Sequence, residues 1–549
     1  MTEFELWREK ATDQTVISNL QQMTQDEERK SFAFCKQIEF GTAGLRGLMD
    51  AGTNCMNVYT VAQTTQALAI RLLSGLESEV VVSYDSRHNS LLFAQITATV
   101  LANNGLKVYL TEEIQPTPFL SFAVKHFSAD AGVMITASHN SKEYNGYKVY
   151  GANGAQIGQQ TADEIFEIIK TVDCFNVNTQ GFLNHLNKGN IQYINKNVVG
   201  EYLNNVYSQS INTIDRLRVV YSPLNGCGHI LVPKVLKNRG LTDLYLVSTQ
   251  KYPSGDFTTC STPNPEKKEA LAYGIESLES NGYDILIATD PDCDRVGVAI
   301  AHKGSTVRLT GNEVGILLTD YLLSSKKANK TLSPNPIIIK TIVTTDLVED
   351  IVKDYNGMCV DLLTGFKYIG EYVDGLTRQG QQSRFVLGFE ESCGYLTGNY
   401  AGDKDAVLAS MLIAEMASFH LKRGQTLVDR LEYIYSKYGY YSQTQFSLVY
   451  EGTKGIKLRQ EAIDKLRATE LTNLGGQTVL SITDLLNKND TNLPKADVLI
   501  YKLSNDIKVI IRPSGTEPLV KFYLFAKCAN NISQALFSKL EFCLKELLK

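Results

Sequence analysis

Short β-branched runs that end in a polar, glycine-bearing loop recur along this chain. Val80-Val81-Val82-Ser83-Tyr84 leads into Asp85-Ser86-Arg87, Val133-Met134-Ile135 into TASHN (136–140), and Arg218-Val219-Val220-Tyr221 into SPLNGCG. Ile285-Leu286-Ile287-Ala288 runs into TDPDCDR, 337–339 into KTIVTTD, and Phe385-Val386-Leu387 into GFEESCG. Continuous apolar runs of this kind mark strands buried on both faces. Helical patterns lie between them, for example over 60–74 and 313–323. The alternation predicts α/β domains on mixed, mainly parallel sheets. Ligands bind such sheets beyond the carboxyl ends of the strands, where the polar loops fall.

The C-terminal part differs. DVLIYKL (497–503), KVIIRPSGTEP (508–518) and LVKFYLFAK (519–527) are strand-like with partial alternation, and a helix over 532–548 follows. This predicts a smaller α+β domain with an antiparallel sheet. The expected division is 1–205, 206–313, 314–435 and 436–549.

A chain of 549 residues has room for several domains. Hydrophobic residues at 43% and charged residues at 21% are ordinary for a soluble globular protein. The net charge of −5 gives no reason to expect nucleic acid or an anionic membrane as partner. The ten cysteines form no CxxC pair and no His/Cys cluster at zinc spacing, which suggests free thiols in a reducing compartment. MTEFELWREKATDQ has no signal-peptide pattern, and no stretch approaches the ~20 apolar residues that span a bilayer. A cytoplasmic protein is expected.

The strongest local signal is TDPDCDR. Asp290, Asp292 and Asp294, spaced i, i+2, i+4, can turn three carboxylates toward one point. They would repel one another there unless a cation sat between them. All-oxygen ligands favour a hard ion such as Mg²⁺, which usually takes substrate phosphate as well. An EF-hand loop is excluded, since Arg295 and Ala301 stand where Gly and Glu are required. RPSGTEP (512–518) can clamp a phosphate: Arg512 offers a donor fork, Ser514 and Thr516 offer hydroxyls, and Gly515 lets backbone N–H groups curl into an anion nest. GFEESCG (388–394) sets Glu390 and Ser392 in a glycine-flanked loop suited to sugar hydroxyls, or simply to starting a helix. GTAGLRG (41–47) holds Arg46, but it is not GxGxxG, and there is no Walker A motif. Around Ser138 there is no G-x-S-x-G elbow. His139 is adjacent in sequence, and since neighbouring side chains diverge, a Ser–His base pair is not expected.

These motifs in this order resemble the α-D-phosphohexomutase superfamily, which includes phosphoglucomutases and phosphomannomutases, over essentially the whole chain. FGTAGLRG (40–47), NGYKVYG (145–151) and TGFKYIG (364–370) are similar to its longer subgroup, which also includes phosphopentomutases. The resemblance implies three similar α/β domains and a C-terminal α+β domain around a central cleft. It implies that Ser138 carries a phosphate in the resting enzyme, and that Asp290, Asp292 and Asp294 bind Mg²⁺ together with a phosphoserine oxygen. Arg46, His139 and Lys148 match positions of proton transfer and phosphoryl stabilisation. Glu390 and Ser392 would read the sugar, and Arg512, Ser514, Gly515 and Thr516 would hold the non-reacting phosphate. Arg295, Lys367 and Lys404 fit further phosphate- or substrate-contacting positions. Three positions depart from the pattern: Cys55 where Arg is frequent, Ser141 where Pro is common, and Asn225 in place of His.

The implied activity is interconversion of glucose 1-phosphate and glucose 6-phosphate through phosphoserine and a sugar 1,6-bisphosphate, by a monomer or dimer. Mannose or pentose phosphates as substrates, bisphosphate synthesis on the same scaffold, and a non-catalytic phosphosugar-binding protein remain the alternatives.

Overall fold

The computed structural model describes residues 1–41, 44–73, 78–450, 455–487, 491, 493–514, 519–528 and 534–548. Four sheets follow one another along the chain. In the first the strand order is Gly44–Leu48, Tyr144–Gly151, Ala131–Ile135, Glu79–Tyr84, Lys107–Leu110, Ile191–Tyr193; the first two junctions are antiparallel and the rest parallel. The second runs Ser305–Leu309, Val296–His302, Ile285–Thr289, Arg218–Ser222, Asp243–Leu246, with two antiparallel junctions and then two parallel. The third runs Met358–Leu362, Ile337–Thr341, Phe385–Glu390, Gly394–Leu396, antiparallel only at its last junction. These are three α/β layers on mixed sheets, followed by a β-rich C-terminal domain.

The central strands are buried along their whole length, as their apolar runs require: every residue of Ala131–Ile135, Ile285–Thr289, Ile337–Thr341 and Phe385–Glu390 is buried. The fourth sheet is wholly antiparallel, from Tyr440–Val449 through Leu519–Cys528, Ile507–Pro513, Leu499–Leu503 and Gln477–Asp484 to Asn473–Leu474. Leu499–Leu503 buries alternate residues, as a sheet with one covered face should.

Caps set helix limits that hydrophobic periodicity misses. The helix expected over 60–74 is Val58–Leu72, started by Asn57, whose side chain accepts from the N–H groups of Tyr59 and Thr60. The helix expected over 313–323 is Gly311–Ala328, opened by a capping box between Thr310 and Glu313. The C-terminal helix is Gln534–Leu547. Three short helices (Glu3–Lys10, Gln14–Met23, Glu27–Phe34), which the sequence reading did not separate, pack around Trp7 in a small cluster that includes Cys55.

One apolar core joins the first three layers, from Val81 and Phe119 through Val219 and Ile287 to Ile338, Leu387 and Leu412. The fourth sheet has its own core and meets the third layer through Ile342, Val343 and Leu363 against Val498, Ile510 and Tyr523. Among the described residues no helix is long and apolar enough to cross a membrane.

Candidate active site

Ser138 lies just past the strand Ala131–Ile135, in a left-handed backbone conformation (φ +53°) that costs a non-glycine residue free energy. Its N–H donates to Thr136 Oγ1 (2.8 Å), and its hydroxyl donates to Asp290 Oδ2 (2.9 Å) across the cleft. The expected divergence of Ser138 and His139 does not occur: His139 Nδ1 is 3.3 Å from Ser138 Oγ, because the left-handed turn folds the two side chains to one side. Burial, reinforced by Arg295 and Arg46, pushes the His139 imidazole well below its usual pKa, so it is neutral near pH 7.

Arg46 comes from the edge strand Gly44–Leu48, which pairs with Tyr144–Gly151 and brings Gly44 opposite Lys148. A Cβ at Gly44 would stand 1.9 Å from the Tyr147 carbonyl oxygen, and its φ is +134°, so only glycine allows this approach. Arg46 donates to Asn140 Oδ1 (2.9 Å), beside the serine.

The three aspartates occupy the turn between the antiparallel strands Ile285–Thr289 and Val296–His302. Gly226 backs this turn; its Cβ would lie 2.3 Å from Pro291 Cα. Asp290 Oδ1 accepts from the N–H groups of Asp294 (3.1 Å) and Arg295 (2.9 Å). Asp292 Oδ2 accepts from Lys148 Nζ (2.7 Å) and Thr117 Oγ1 (2.8 Å). Asp294 Oδ2 faces Lys404 Nζ at 2.9 Å and Lys148 Nζ at 3.3 Å.

Asp290 is thus held through both oxygens, whereas Asp292 and Asp294 are each fastened by Oδ2, and their Oδ1 atoms are buried and accept no hydrogen bond from a described residue; Arg295 Nε stands 3.8 Å from Asp294 Oδ1. One oxygen from each aspartate lies within 4.8 Å of the others. Burial and the charges of Asp292 and Asp294 push the Asp290 carboxyl well above its usual range. Burial alone would raise Asp292 as well, but Lys148 and the Thr117 hydroxyl hold it below. Three buried carboxylates, two with a spare oxygen and the third resisting ionisation, fit a hard divalent cation. A second acidic group, Glu349, Cys359 and Asp361, already surrounds a resident cation, the buried Lys340, whose Nζ lies 2.6 Å from Asp361 and 3.6 Å from Glu349.

Of the other residues expected in the site, Arg295 donates to Glu266 (3.0 Å), and Lys404 lies between Asp294 and Asp403. Glu390, buried at the end of Phe385–Glu390, accepts from the Gly365 N–H (3.0 Å) and feels the charges of Lys404 and Arg295. Ser392 sits half-buried in the following turn, and Lys367 is buried at the start of the helix Phe366–Arg378. Burial and Glu390 push Glu391 up to about 7. Arg512, at the end of the strand Ile507–Pro513, acts on Tyr523 and Tyr368, and Tyr523 in turn feels Glu390 and Glu391. The Ser514 N–H donates to the Leu519 carbonyl (2.9 Å), while Gly515 and Thr516 lie outside the described residues.

Of the departures, Cys55 is buried in the N-terminal cluster, Asn225 Nδ2 donates to the Tyr252 carbonyl (2.8 Å), and the Ser141 carbonyl accepts from Arg87 (2.8 Å). Sequence reasoning missed Thr117, Glu266, Asp403 and the pair Asp85 and Arg87. The last two had a signal, a charged triplet at the end of a buried strand.

Models of the family described as phosphoglucomutase/phosphomannomutase match residues 37–174 (alpha/beta/alpha domain I), 200–304 (domain II) and 310–438 (domain III). A phosphoglucomutase of Staphylococcus aureus (strain USA300) is 35% identical over 545 residues, covering 96% of each chain. One from Staphylococcus epidermidis is 35% identical over 523 residues, 91% of this chain and 94% of that one. Among solved structures, a phosphoglucomutase/phosphomannomutase family protein from Burkholderia thailandensis superposes with a TM-score of 0.70 at 20% identity, covering 94% and 97% of the two chains. Parafusin, a phosphoglucomutase from Paramecium in an open form, gives 0.68 at 15% identity over 93% and 95%; at such identities the likeness is one of fold. Fold and site define a protein of the α-D-phosphohexomutase class, an isomerase. Within that class the chain belongs to the phosphoglucomutase/phosphomannomutase family.

Proposed function

We propose that the chain interconverts glucose 1-phosphate and glucose 6-phosphate, with Ser138 as the phosphoryl carrier. One observation carries this reading: the Ser138 hydroxyl donates to Asp290 within an acidic triad that has buried oxygens to spare. The staphylococcal relatives, named phosphoglucomutase and matched over nearly their whole length, support glucose as the sugar. Mannose 1-phosphate and ribose 1-phosphate are the substrates to compare. The ten free thiols fit a reducing compartment, the cytoplasm.

In the first half-reaction a free hydroxyl oxygen of the sugar monophosphate bonds to the phosphorus carried on Ser138. The P–Oγ bond breaks, the hydroxyl proton passes to neutral His139, and Ser138 Oγ recovers a proton from it. The bisphosphorylated sugar then turns end for end, and Ser138 takes the other phosphate by the reverse steps, so atoms and charge balance over the cycle. Asp290, Asp292, Asp294 and a phosphoserine oxygen would hold Mg²⁺, which neutralises charge on the transferring group when bound. Arg46 and Arg295 add positive charge beside it, Glu390 and Ser392 read sugar hydroxyls, and the loop beginning at Arg512 holds the remote phosphate for in-line attack. Lys148 and Lys404, fixed between the aspartates, keep the triad in place.

Ser138→Ala should abolish turnover of glucose 1-phosphate in the presence of Mg²⁺ and a trace of glucose 1,6-bisphosphate, with the circular dichroism spectrum unchanged. Near-normal turnover by that variant would remove Ser138 from the mechanism. Comparing kcat/KM for the three sugar 1-phosphates decides the substrate. Accumulation of bisphosphate without glucose 6-phosphate would instead indicate a synthase.

A further inference from the structure

Both peptide groups flanking Ser138 are tied to one buried side chain. The Ser138 N–H donates to Thr136 Oγ1 (2.8 Å), and that hydroxyl donates onward to Asp85 Oδ2 (2.7 Å). On the other side the Ser138 carbonyl accepts from Arg87 Nη2 (2.6 Å), and Arg87 Nε forms an ion pair with Asp85 Oδ2 (3.3 Å). Arg87 does more than hold one carbonyl. Nη2 also donates to Asn140 O (2.5 Å), and Nη1 donates to Ser141 O (2.8 Å) and Tyr144 O (3.0 Å).

An arginine has five N–H donors in a rigid fork. Here four go to carbonyls of the loop that carries the serine, and the fifth faces Asp85. Asp85 Oδ1 is taken by the Arg87 N–H (2.9 Å) and the Ser90 hydroxyl (2.7 Å), so the carboxylate itself cannot swing. Both side chains are fully buried, and the Phe257 ring lies 5.0 Å from the Arg87 guanidinium. No hydrogen bond joins the clamp to the aspartate triad among the described residues; the Arg87 guanidinium donates to backbone carbonyls of residues 138–144, and Asp85 accepts from the Thr136 hydroxyl.

We propose that Asp85, Arg87 and Thr136 are positioning residues that impose the left-handed conformation of Ser138 and thereby aim its oxygen at Asp290. The inference rests on the reading of Ser138 as phosphoryl carrier. A serine left to itself would avoid φ near +53°, and a loop held only by its ends would relax toward an ordinary turn. The clamp removes that freedom from both sides of the residue. Lysine cannot replace the arginine, because three rotatable donors on a flexible stem cannot serve four divergent carbonyls.

The test uses the full chain with Ser138 phosphorylated by glucose 1,6-bisphosphate, and follows a single turnover of phosphoryl transfer to glucose 1-phosphate. Thr136→Val, close to isosteric, should slow transfer by about 10- to 100-fold, the order expected for ångström-scale misplacement, with KM changed far less. Thr136→Ser, which restores the hydroxyl, should recover most of the rate. Arg87→Lys should lose transfer as well, and should raise amide hydrogen exchange in a peptide spanning 136–144 while exchange in the third domain stays as in the wild type. If Arg87→Lys does not fold, the Thr136 pair decides. Transfer by Thr136→Val at the wild-type rate, or a fall that Thr136→Ser shares, overturns the inference. Wild-type protein with no transferable phosphate on Ser138 would overturn the carrier reading first, and the clamp's role with it.

Discussion

Thr117 offers a sharp probe of the acidic triad. It is the first residue of the helix Thr117–His126, fully buried, and belongs to the first domain, while the aspartates belong to the second. Its hydroxyl donates to Asp292 Oδ2 (2.8 Å), and its N–H, one of the donors a helix start leaves over, reaches the Asp292 carbonyl (2.9 Å). Thr117→Val keeps the shape and the backbone bond and deletes only the hydroxyl. A buried hydrogen bond to a charged group is worth about 1.5–3 kcal/mol. Lys148 still holds the same oxygen at 2.7 Å, so the carboxylate stays in place but is free to rotate about that contact and swing Oδ1 away from the point where the three side chains converge. Losing a partner that orients a ligand in this way costs about 10- to 100-fold in metal affinity. The assay is calorimetric titration of Mg²⁺ or Mn²⁺ into protein freed of metal by chelation, with Thr117→Ser as the control that restores the donor. A Kd for Thr117→Val within about threefold of the wild type, under ~0.7 kcal/mol, would refute the argument that the hydroxyl orients a metal ligand.

Three further outcomes are expected. Burial and Arg430 push His420 from 6.5 down to about 4, so the folded protein holds it neutral. Protonation favours the unfolded chain, and stability should fall as pH drops through 6.5 toward 4, by roughly 1.4 kcal/mol per unit; urea midpoints that fall as steeply in His420→Leu would contradict this. Glu415, fully buried, accepts from the N–H groups of Ile211 and Asn212 (2.9 Å each) and from the Tyr321 hydroxyl (2.7 Å). Glu415→Ala should cost about 3–5 kcal/mol and Glu415→Gln less, measured by urea unfolding, and an unchanged midpoint would show that the network is not needed. Finally, paired spin labels on the second and fourth domains should give a broader distance distribution than a pair on the first and second; equal widths would mean that the four domains move as one.

What was legible in the sequence was what is local. TDPDCDR reads as a ligand set because all three carboxylates come from one turn, and the central strands read as strands because burial on both faces leaves a continuous apolar run. Lys148 and Lys404 carried no such signal: they reach the triad from 144 residues before Asp292 and from another domain after it, and only resemblance to a family pointed to them. Thr117 was invisible for the same reason, since a hydroxyl acquires its role only from partners that tertiary folding supplies. The Ser138–His139 contact was misjudged because the divergence of neighbouring side chains assumes ordinary backbone, and a positive φ breaks that assumption. Helix limits moved by a few residues where side chains at Asn57 and Thr310 took over the first N–H groups.

The charges that build the site also join the domains. Lys148 and Thr117 of the first domain grip Asp292 of the second, and Lys404 of the third grips Asp294. Every one of these groups is buried, and removing one partner of such a buried ion pair costs about 3–5 kcal/mol, so the second domain is tied firmly to the first and to the third. The fourth domain is held differently. Its ion pairs, Lys508 to Asp346 and Lys527 to Asp350, keep 16–38% of their side-chain surface open to solvent, where such pairs contribute about 0–1 kcal/mol. Among the described residues that interface also holds hydrogen bonds from Asn312 to Gln443 and from Tyr441 to Asp350, and a small apolar cluster around Ile342 and Tyr523. On the proposed mechanism a bisphosphate turns over without leaving, which requires one wall of the cleft to yield while the serine, the triad and their lysines keep their geometry. On that mechanism, the distribution of buried charge leaves this freedom to the fourth domain, which carries Arg512, and withholds it from the three domains joined through the acidic triad.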